Sequence, residues 1–142
     1  ELVNDLLVLL GSTEVDMTMF FRGLCSVAEP DVDHLSEAFY EGDEPSKTTW
    51  NAWLNRWWER VDGQPDRDTM RAANPKYVLR NWMAQLAIDA AEQNNDFTVA
   101  EELHELLKRP YDEQPEHEER WFQKRPEWAR HRVGCSMLSC SS

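Results

Sequence analysis

The sequence predicts an all-α protein: an irregular bundle of about six to eight helices with an extended C-terminal tail. Three observations predict it. The five glycines are scattered singly, apolar residues recur at three- and four-residue spacings, and alternating β-branched runs are almost absent. Seven Trp among 142 residues add that large aromatic side chains make much of the core. No internal linker is long enough to divide the chain. Residues 1–142 therefore read as a single helical domain, with 109–142 mostly irregular.

Each element has its own signal. Asn4 to Leu10 reads as a helix ended by Gly11, a good left-handed terminator. Thr13 and Asp16 form a capping-box-like pair before a second helix carrying Met17, Phe20, Phe21 and Leu24. Glu29-Pro30-Asp31 breaks it, and a short helix follows through Leu35 and Phe39. Glu41 to Pro45 is an acidic, solvated turn, after which Ser46 caps a clear helix. Trp50, Trp53, Leu54, Trp57 and Val61 put an apolar stripe on that helix, widened by Trp58. Gly63-Gln64-Pro65 ends it.

Asp66 to Ala73 makes a short helix, and Asn74-Pro75 starts the strongest one, because Pro at the first helical position costs no hydrogen bond. Its apolar face is Val78, Leu79, Trp82, Met83, Leu86 and Ala90. Asp96 caps a further helix with Ala100, Leu103, Leu106 and Leu107 inward, ended by Pro110. Beyond Tyr111 the pattern weakens. Glu116 to Phe122 has helical character, while Pro110, Pro115 and Pro126 favour an irregular, surface-hugging tail.

The charge balance narrows the functional classes. Fifteen basic against 27 acidic residues give a formal charge of −12, with no basic stripe, which excludes non-specific nucleic-acid binding and docking on anionic membrane. The longest apolar run, Leu6 to Leu10, is far short of a membrane span. Its acidic flank, Glu1 and Asp5, is not that of a signal peptide. The chain opens without Met in an apparent helix, as a piece of a longer protein would. Three cysteines, Cys25, Cys135 and Cys140, are too few and too unevenly spaced for a disulfide scaffold, so a reducing compartment is the default.

Local chemistry is sparse. There is no Gly-rich phosphate loop, no G-x-S-x-G elbow and no H-E-x-x-H, so an independent small enzyme has no motif to support it. His34, His104, His117 and His131 with Cys135 and Cys140 do not make a zinc pattern, since only two thiolates are available and C-x4-C is a loose spacing. The acidic runs at Glu41 to Glu44 and Glu113 to Glu119 lack the spacing of a calcium loop and read as solvated faces. The Trp stripe could serve as a ligand platform, but aromatics at helical spacing are the mark of a core. Ser139-Cys140-Ser141-Ser142 places a thiol among small polar residues near the end. Two readings stay open for Cys140: a reactive exposed thiol, or an inert one.

Asn74-Pro75-Lys76-Tyr77-Val78-Leu79-Arg80-Asn81-Trp82, followed by Ala87-Ile88-Asp89-Ala90-Ala91, resembles a signature near the C-terminal end of the selenoprotein O family. Arg109-Pro110-Tyr111-Asp112-Glu113-Gln114, Pro126-Glu127-Trp128-Ala129 and Ser139-Cys140-Ser141-Ser142 are similar to that family in the same order, as are Asn4-Asp5-Leu6-Leu7 and Phe20-Phe21-Arg22. The resemblance covers essentially the whole chain.

It implies a longer protein with a protein-kinase-like fold that binds ATP with Mg2+ and transfers AMP to Ser, Thr or Tyr hydroxyls of other proteins. The catalytic residues of such an enzyme would lie upstream, so no catalytic, cofactor or metal residue is carried onto these positions. The partners implied are the upstream kinase-like domain and the protein substrates; the implied compartment is the cytoplasm, or the mitochondrion for a eukaryotic source. In the family the near-terminal cysteine pairs with one in the activation loop, and Cys140 matches it. With that partner upstream, Cys135 and Cys25 are the other thiols at hand. Animal members carry a C-x-x-selenocysteine arrangement, whereas four residues separate Cys135 from Cys140 here, which departs from a local redox pair.

Two expectations follow. In the first, the chain is the non-catalytic helical portion of a protein adenylyltransferase, buttressing the kinase-like core and presenting Cys140 as a redox-sensitive tether. Lys76, Arg80 and Asn81 would then dock on upstream carboxylates or carbonyls, unless they lie on a solvated face. This reading predicts an exposed apolar patch. In the second, the chain is a free-standing acidic helical module that binds a basic protein partner and shows a polar surface.

Overall fold

A computed structural model describes residues 1–41 and 46–135. Seven α-helices and two 3-10 helices follow in order: α1 (Leu2–Ser12), α2 (Met17–Leu24), a 3-10 helix (Val32–Ala38), α3 (Lys47–Arg60), α4 (Arg67–Ala73), α5 (Asn81–Asn94), α6 (Thr98–Leu107), α7 (Pro115–Trp121) and a second 3-10 helix (Glu127–Ala129). Among the described residues the β-structure is one isolated bridge, Val15 with Phe39. The fold is all-α, as the spacing predicts. The chain divides into two compact units, Glu1–Asn74 and the remainder from Pro75. No described helix is long and apolar enough to cross a membrane.

The core of the first unit is built from rings. Phe20, fully buried on α2, meets Trp50 at 5.4 Å and Trp53 at 6.5 Å between centroids, and Phe39 closes on Trp50 at 5.1 Å. Trp53 and Trp57, one turn apart on α3, stack with planes 6° apart. The predicted Trp stripe is therefore core, with Val61 and Trp58 at its half-buried edge. The predicted ends of α3 also hold. Asp62 and Gly63 take φ of 51° and 65°, and a Cβ on Gly63 would sit 3.2 Å from Trp58 Nε1, so only glycine suits that turn. Asp16 and Asp66 cap α2 and α4 by accepting the amides of Met19 and Thr69. Thr13 takes no part in the α2 cap; it ends α1, which runs through Gly11 to Ser12.

Two arginines tie this unit together reciprocally. Arg22 on α2 donates to the carbonyls of Arg71 and Asn74 at the end of α4, at 3.1 and 2.9 Å. Arg67 on α4 donates to the carbonyls of Cys25 and Val27 beyond the end of α2, at 2.8 and 2.7 Å. Each guanidinium satisfies carbonyl groups that a helix end leaves without partners.

In the second unit Tyr77, Trp82, Met83, Leu103, Leu106, Trp121, Ala129 and Cys135 form the core, with Leu86, Ala87, Val99, Leu107 and Phe122 packed against it. Three expectations need correction here. The helix expected from Asn74-Pro75 begins seven residues later, at Asn81, so Val78 and Leu79 are not on its face and Leu79 is exposed. The reason is tertiary: the Pro110 carbonyl accepts from the amides of both Lys76 and Tyr77, at 2.8 and 3.1 Å. Ala100 points outward, and Val99 takes the inward place on α6. The stretch after Tyr111 does not merely hug a surface, because it contributes Gln114, Trp121, Ala129 and Cys135 as buried residues.

Candidate functional site

Two of the motifs that carried the resemblance meet in the second unit. Lys76, from the Asn74–Trp82 stretch, is only 4% exposed, and its Nζ lies 3.0 Å from Glu113 Oε2 and 3.0 Å from Glu118 Oε2. The rings of Phe122 and Tyr77 flank the ammonium at 5.3 and 5.7 Å. Burial alone would lower the Lys76 pKa; the hydrogen bonds from both glutamates outweigh it and hold the ammonium above its ordinary range. Lys76 is thus neither on a solvated face nor free of acids in its own unit.

Tyr77 completes the junction. Its hydroxyl shares a proton between the carbonyls of Glu113 and Gln114, at 3.0 and 2.9 Å, and burial pushes the phenol pKa up. Gln114, left-handed at φ 39°, returns the tie by donating Nε2 to the carbonyls of Leu106 and Arg109, at 3.0 and 2.8 Å. The side chains of Tyr77 and Gln114 thus add hydrogen bonds to four carbonyls between the end of α6 and the start of α7, where the backbone is mostly irregular.

Arg80 is buried at the N-cap of α5, where its backbone amide faces Met83 Sδ at 3.3 Å. Asn81 is half-buried at the first position of that helix. Lys76 and Arg80 therefore lie on the non-helical approach to α5 and Asn81 opens the helix, so the three are not on consecutive turns of it. Cys135 is fully buried in the unit's core. Cys140 and the Ser139–Ser142 ending lie outside the described residues, as does most of the Glu41–Pro45 turn. Cys25 is buried in the first unit, where burial raises its thiol pKa above normal despite nearby arginines.

Sequence reading missed the acid partners of Lys76, the buried Gln114 and the reciprocal Arg22 and Arg67. The Glu113 to Glu119 run is a largely solvated face, as its composition predicts, with Glu113 and Glu118 61% and 52% exposed; what spacing alone does not show is that Lys76 reaches two of its carboxylates. A second polar cluster surrounds Asp89, which binds Arg132 through two 2.7 Å contacts and accepts from Gln85 at 2.9 Å. Arg132 in turn lies 5.7 Å over the exposed Trp128 ring. Among the described residues no group of three or more His, Cys, Asp or Glu could hold a metal ion.

Comparison with known proteins places the chain. The model of the family described as protein adenylyltransferase SelO matches residues 1–108. A protein nucleotidyltransferase YdiU of Flavobacterium johnsoniae is 46% identical across the whole chain, which covers 29% of that relative. One of Rhodopirellula baltica is 49% identical, again across the whole chain and 30% of the relative, and one of Aromatoleum aromaticum is 47% identical over 99% of the chain and 28% of its own length. The chain thus spans about three-tenths of the length of these relatives. It belongs to the SelO family of protein adenylyltransferases.

Proposed function

We propose that these residues are a non-catalytic portion of a protein nucleotidyltransferase that moves AMP from ATP onto Ser, Thr or Tyr hydroxyls of other proteins. The observation that carries this reading is the extent of the match: the family model takes in residues 1–108 and the relatives the whole chain, yet the chain covers only about three-tenths of each relative. The polar cluster of Lys76 with Glu113 and Glu118 leaves the buried ammonium paired twice within its own unit, beside the Tyr77 and Gln114 side chains that brace backbone. ATP and Mg2+ belong, on this reading, to the kinase-like remainder of the full-length protein, as do the catalytic side chains.

The role of this portion is to buttress that remainder. The Lys76–Asn81 stretch is the proposed docking edge, with the half-buried Asn81 at its surface, Arg80 buried at the N-cap beneath it and Lys76 holding the stretch in shape through its two glutamates. Cys140 is the proposed redox latch, pairing with a thiol of the kinase-like portion. Cys135, packed in the core, is the alternative partner and would have to leave that core to pair.

The test is AMP transfer by the full-length protein under reducing and oxidising conditions, read by the intact mass of the acceptor. Oxidation is expected to suppress transfer, and Cys140→Ser to abolish that sensitivity while leaving the reduced rate unchanged. Equal redox sensitivity in Cys140→Ser would remove the latch. Arg80→Ala with unchanged melting and unchanged transfer would remove Arg80 from the docking edge.

A further inference from the structure

We infer that the outward face of α1, together with the groove between α1 and α3, is the seat of the family polypeptide that lies outside these 142 residues. The inference rests on the buttress reading and gives it a second, apolar contact surface. Helix α1 is aliphatic almost all round, and Val3, Leu7 and Val8 stand 68%, 58% and 71% exposed. A helix apolar on every side is normally covered on every side. Exposed aliphatic patches on a scale of a few hundred Å² mark interaction surfaces on soluble proteins.

The inward attachment of α1 is thin. Leu6 is its one buried side chain. Two polar ties supplement it: the Trp53 indole donates to the Leu2 carbonyl at 2.9 Å, and Arg56 pairs with Asp5 at 2.7 Å. An eleven-residue helix is marginal by itself in water and is stabilised by what packs on it. The exposed face continues through Val8 into a groove of about 300 Å³ lined by Asp5, Leu9, Thr49, Ala52, Trp53 and Arg56. With Asp5 and Arg56 neutralising each other at its edge, the groove suits an apolar side chain from a partner.

The occupant follows from length. The relatives extend this chain by roughly seven-tenths of their own sequence, enough for a folded body that shares the polypeptide with α1. Covalent joining gives such a partner a high effective concentration, so even a weak apolar contact suffices to occupy the face. A second copy of this chain is the competing occupant.

Hydrogen exchange distinguishes them, measured on the 142-residue chain and on the full-length protein. Amides of Leu6 to Leu10 are expected to exchange at least tenfold more slowly in the full-length protein, while those of Met19 to Leu24 on α2, outside the proposed seat, differ little. Leu7→Asp should erase that extra protection without changing the circular dichroism of the 142-residue chain; Val8→Ser is a milder variant with the same direction. Equal α1 exchange in both proteins would overturn the inference. So would a self-association of the 142-residue chain, seen by sedimentation and abolished by Leu7→Asp, with no added protection in the full-length protein. AMP transfer is scored separately: a full-length protein that protects α1 but transfers no AMP refutes the activity and leaves the docking face standing.

Discussion

The two units solve the same problem with different chemistry. In Glu1–Asn74 the helices are held by rings: Phe39 packs edge to face on Phe20 and Trp50, and Phe20 packs tilted on Trp50 and Trp53, with centroids 5.1 to 6.5 Å apart. From Pro75 onward, two irregular segments sit beside the helices, and polar side chains hold them: Lys76 binds two carboxylates, Tyr77 two carbonyls and Gln114 two more. Regular elements are fixed mainly by an apolar face, because their backbone groups are already paired except at the ends, where Arg22 and Arg67 meet the carbonyls. Irregular ones must have each buried N–H and C=O met individually. The first kind of order is tolerant of solution conditions, whereas the second depends on charge.

Replacing a ring should therefore have the largest effect. Trp50→Ala removes a side chain that is 1% exposed and is expected to cost about 3–5 kcal/mol, mostly lost burial and cavity. Denaturant melting would show the loss, and hydrogen exchange would place it in α2 and α3. A cost below about 1 kcal/mol would mean that the aromatic cluster is not the core of this unit.

The second unit should respond to charge. Glu113→Gln with Glu118→Gln leaves the Lys76 ammonium buried without an ionised partner. Breaking a fully buried pair costs about 3–5 kcal/mol, but these carboxylates are 61% and 52% exposed, so screening cuts the expectation to about 2 kcal/mol. Lys76 also sets an alkaline limit. Because its folded pKa is raised, its contribution is fully present below the unfolded value near ~10.4 and is lost as pH rises through the folded value. The double variant should lack that alkaline loss, and an identical profile in both proteins would contradict the assignment.

The smallest effect is expected at Asp89. The Arg132 hydrogen bonds, then that of Gln85, hold its carboxyl below the ordinary value of 3.8. Its stabilisation is present above the unfolded pKa and is lost as pH falls through the lower folded one. Arg132→Gln should move the Asp89 carboxyl titration upward, toward 3.8, by NMR. No movement would show that the pairing does not persist in solution.

Much of the first kind of order was legible in the sequence, and little of the second. The stripe Trp50, Trp53, Leu54 and Trp57, the short helix at Asp66 to Ala73 and the break at Gly63 are local signals, and each matches an element. Asn74-Pro75 failed as a helix start because the competing partner of the Lys76 and Tyr77 amides, the Pro110 carbonyl, lies 34 and 33 residues away from them in sequence. Lys76 was identifiable as a candidate through its motif, but its partners were not, since nothing local links it to Glu113 and Glu118. The inward turn of Val99 in place of Ala100 shows how a one-residue shift in helix phase escapes a pattern read by spacing alone.

The central claim, that these residues support chemistry carried out elsewhere in the polypeptide, is tested most directly by AMP transfer from ATP to an acceptor protein, read by intact mass. Three samples suffice: the 142-residue chain, the kinase-like remainder, and the full-length protein. Transfer by the full-length protein, with little from the remainder and none from the 142-residue chain, is the result expected. A remainder as active as the full-length protein would contradict the buttress and favour a separate acidic interaction module.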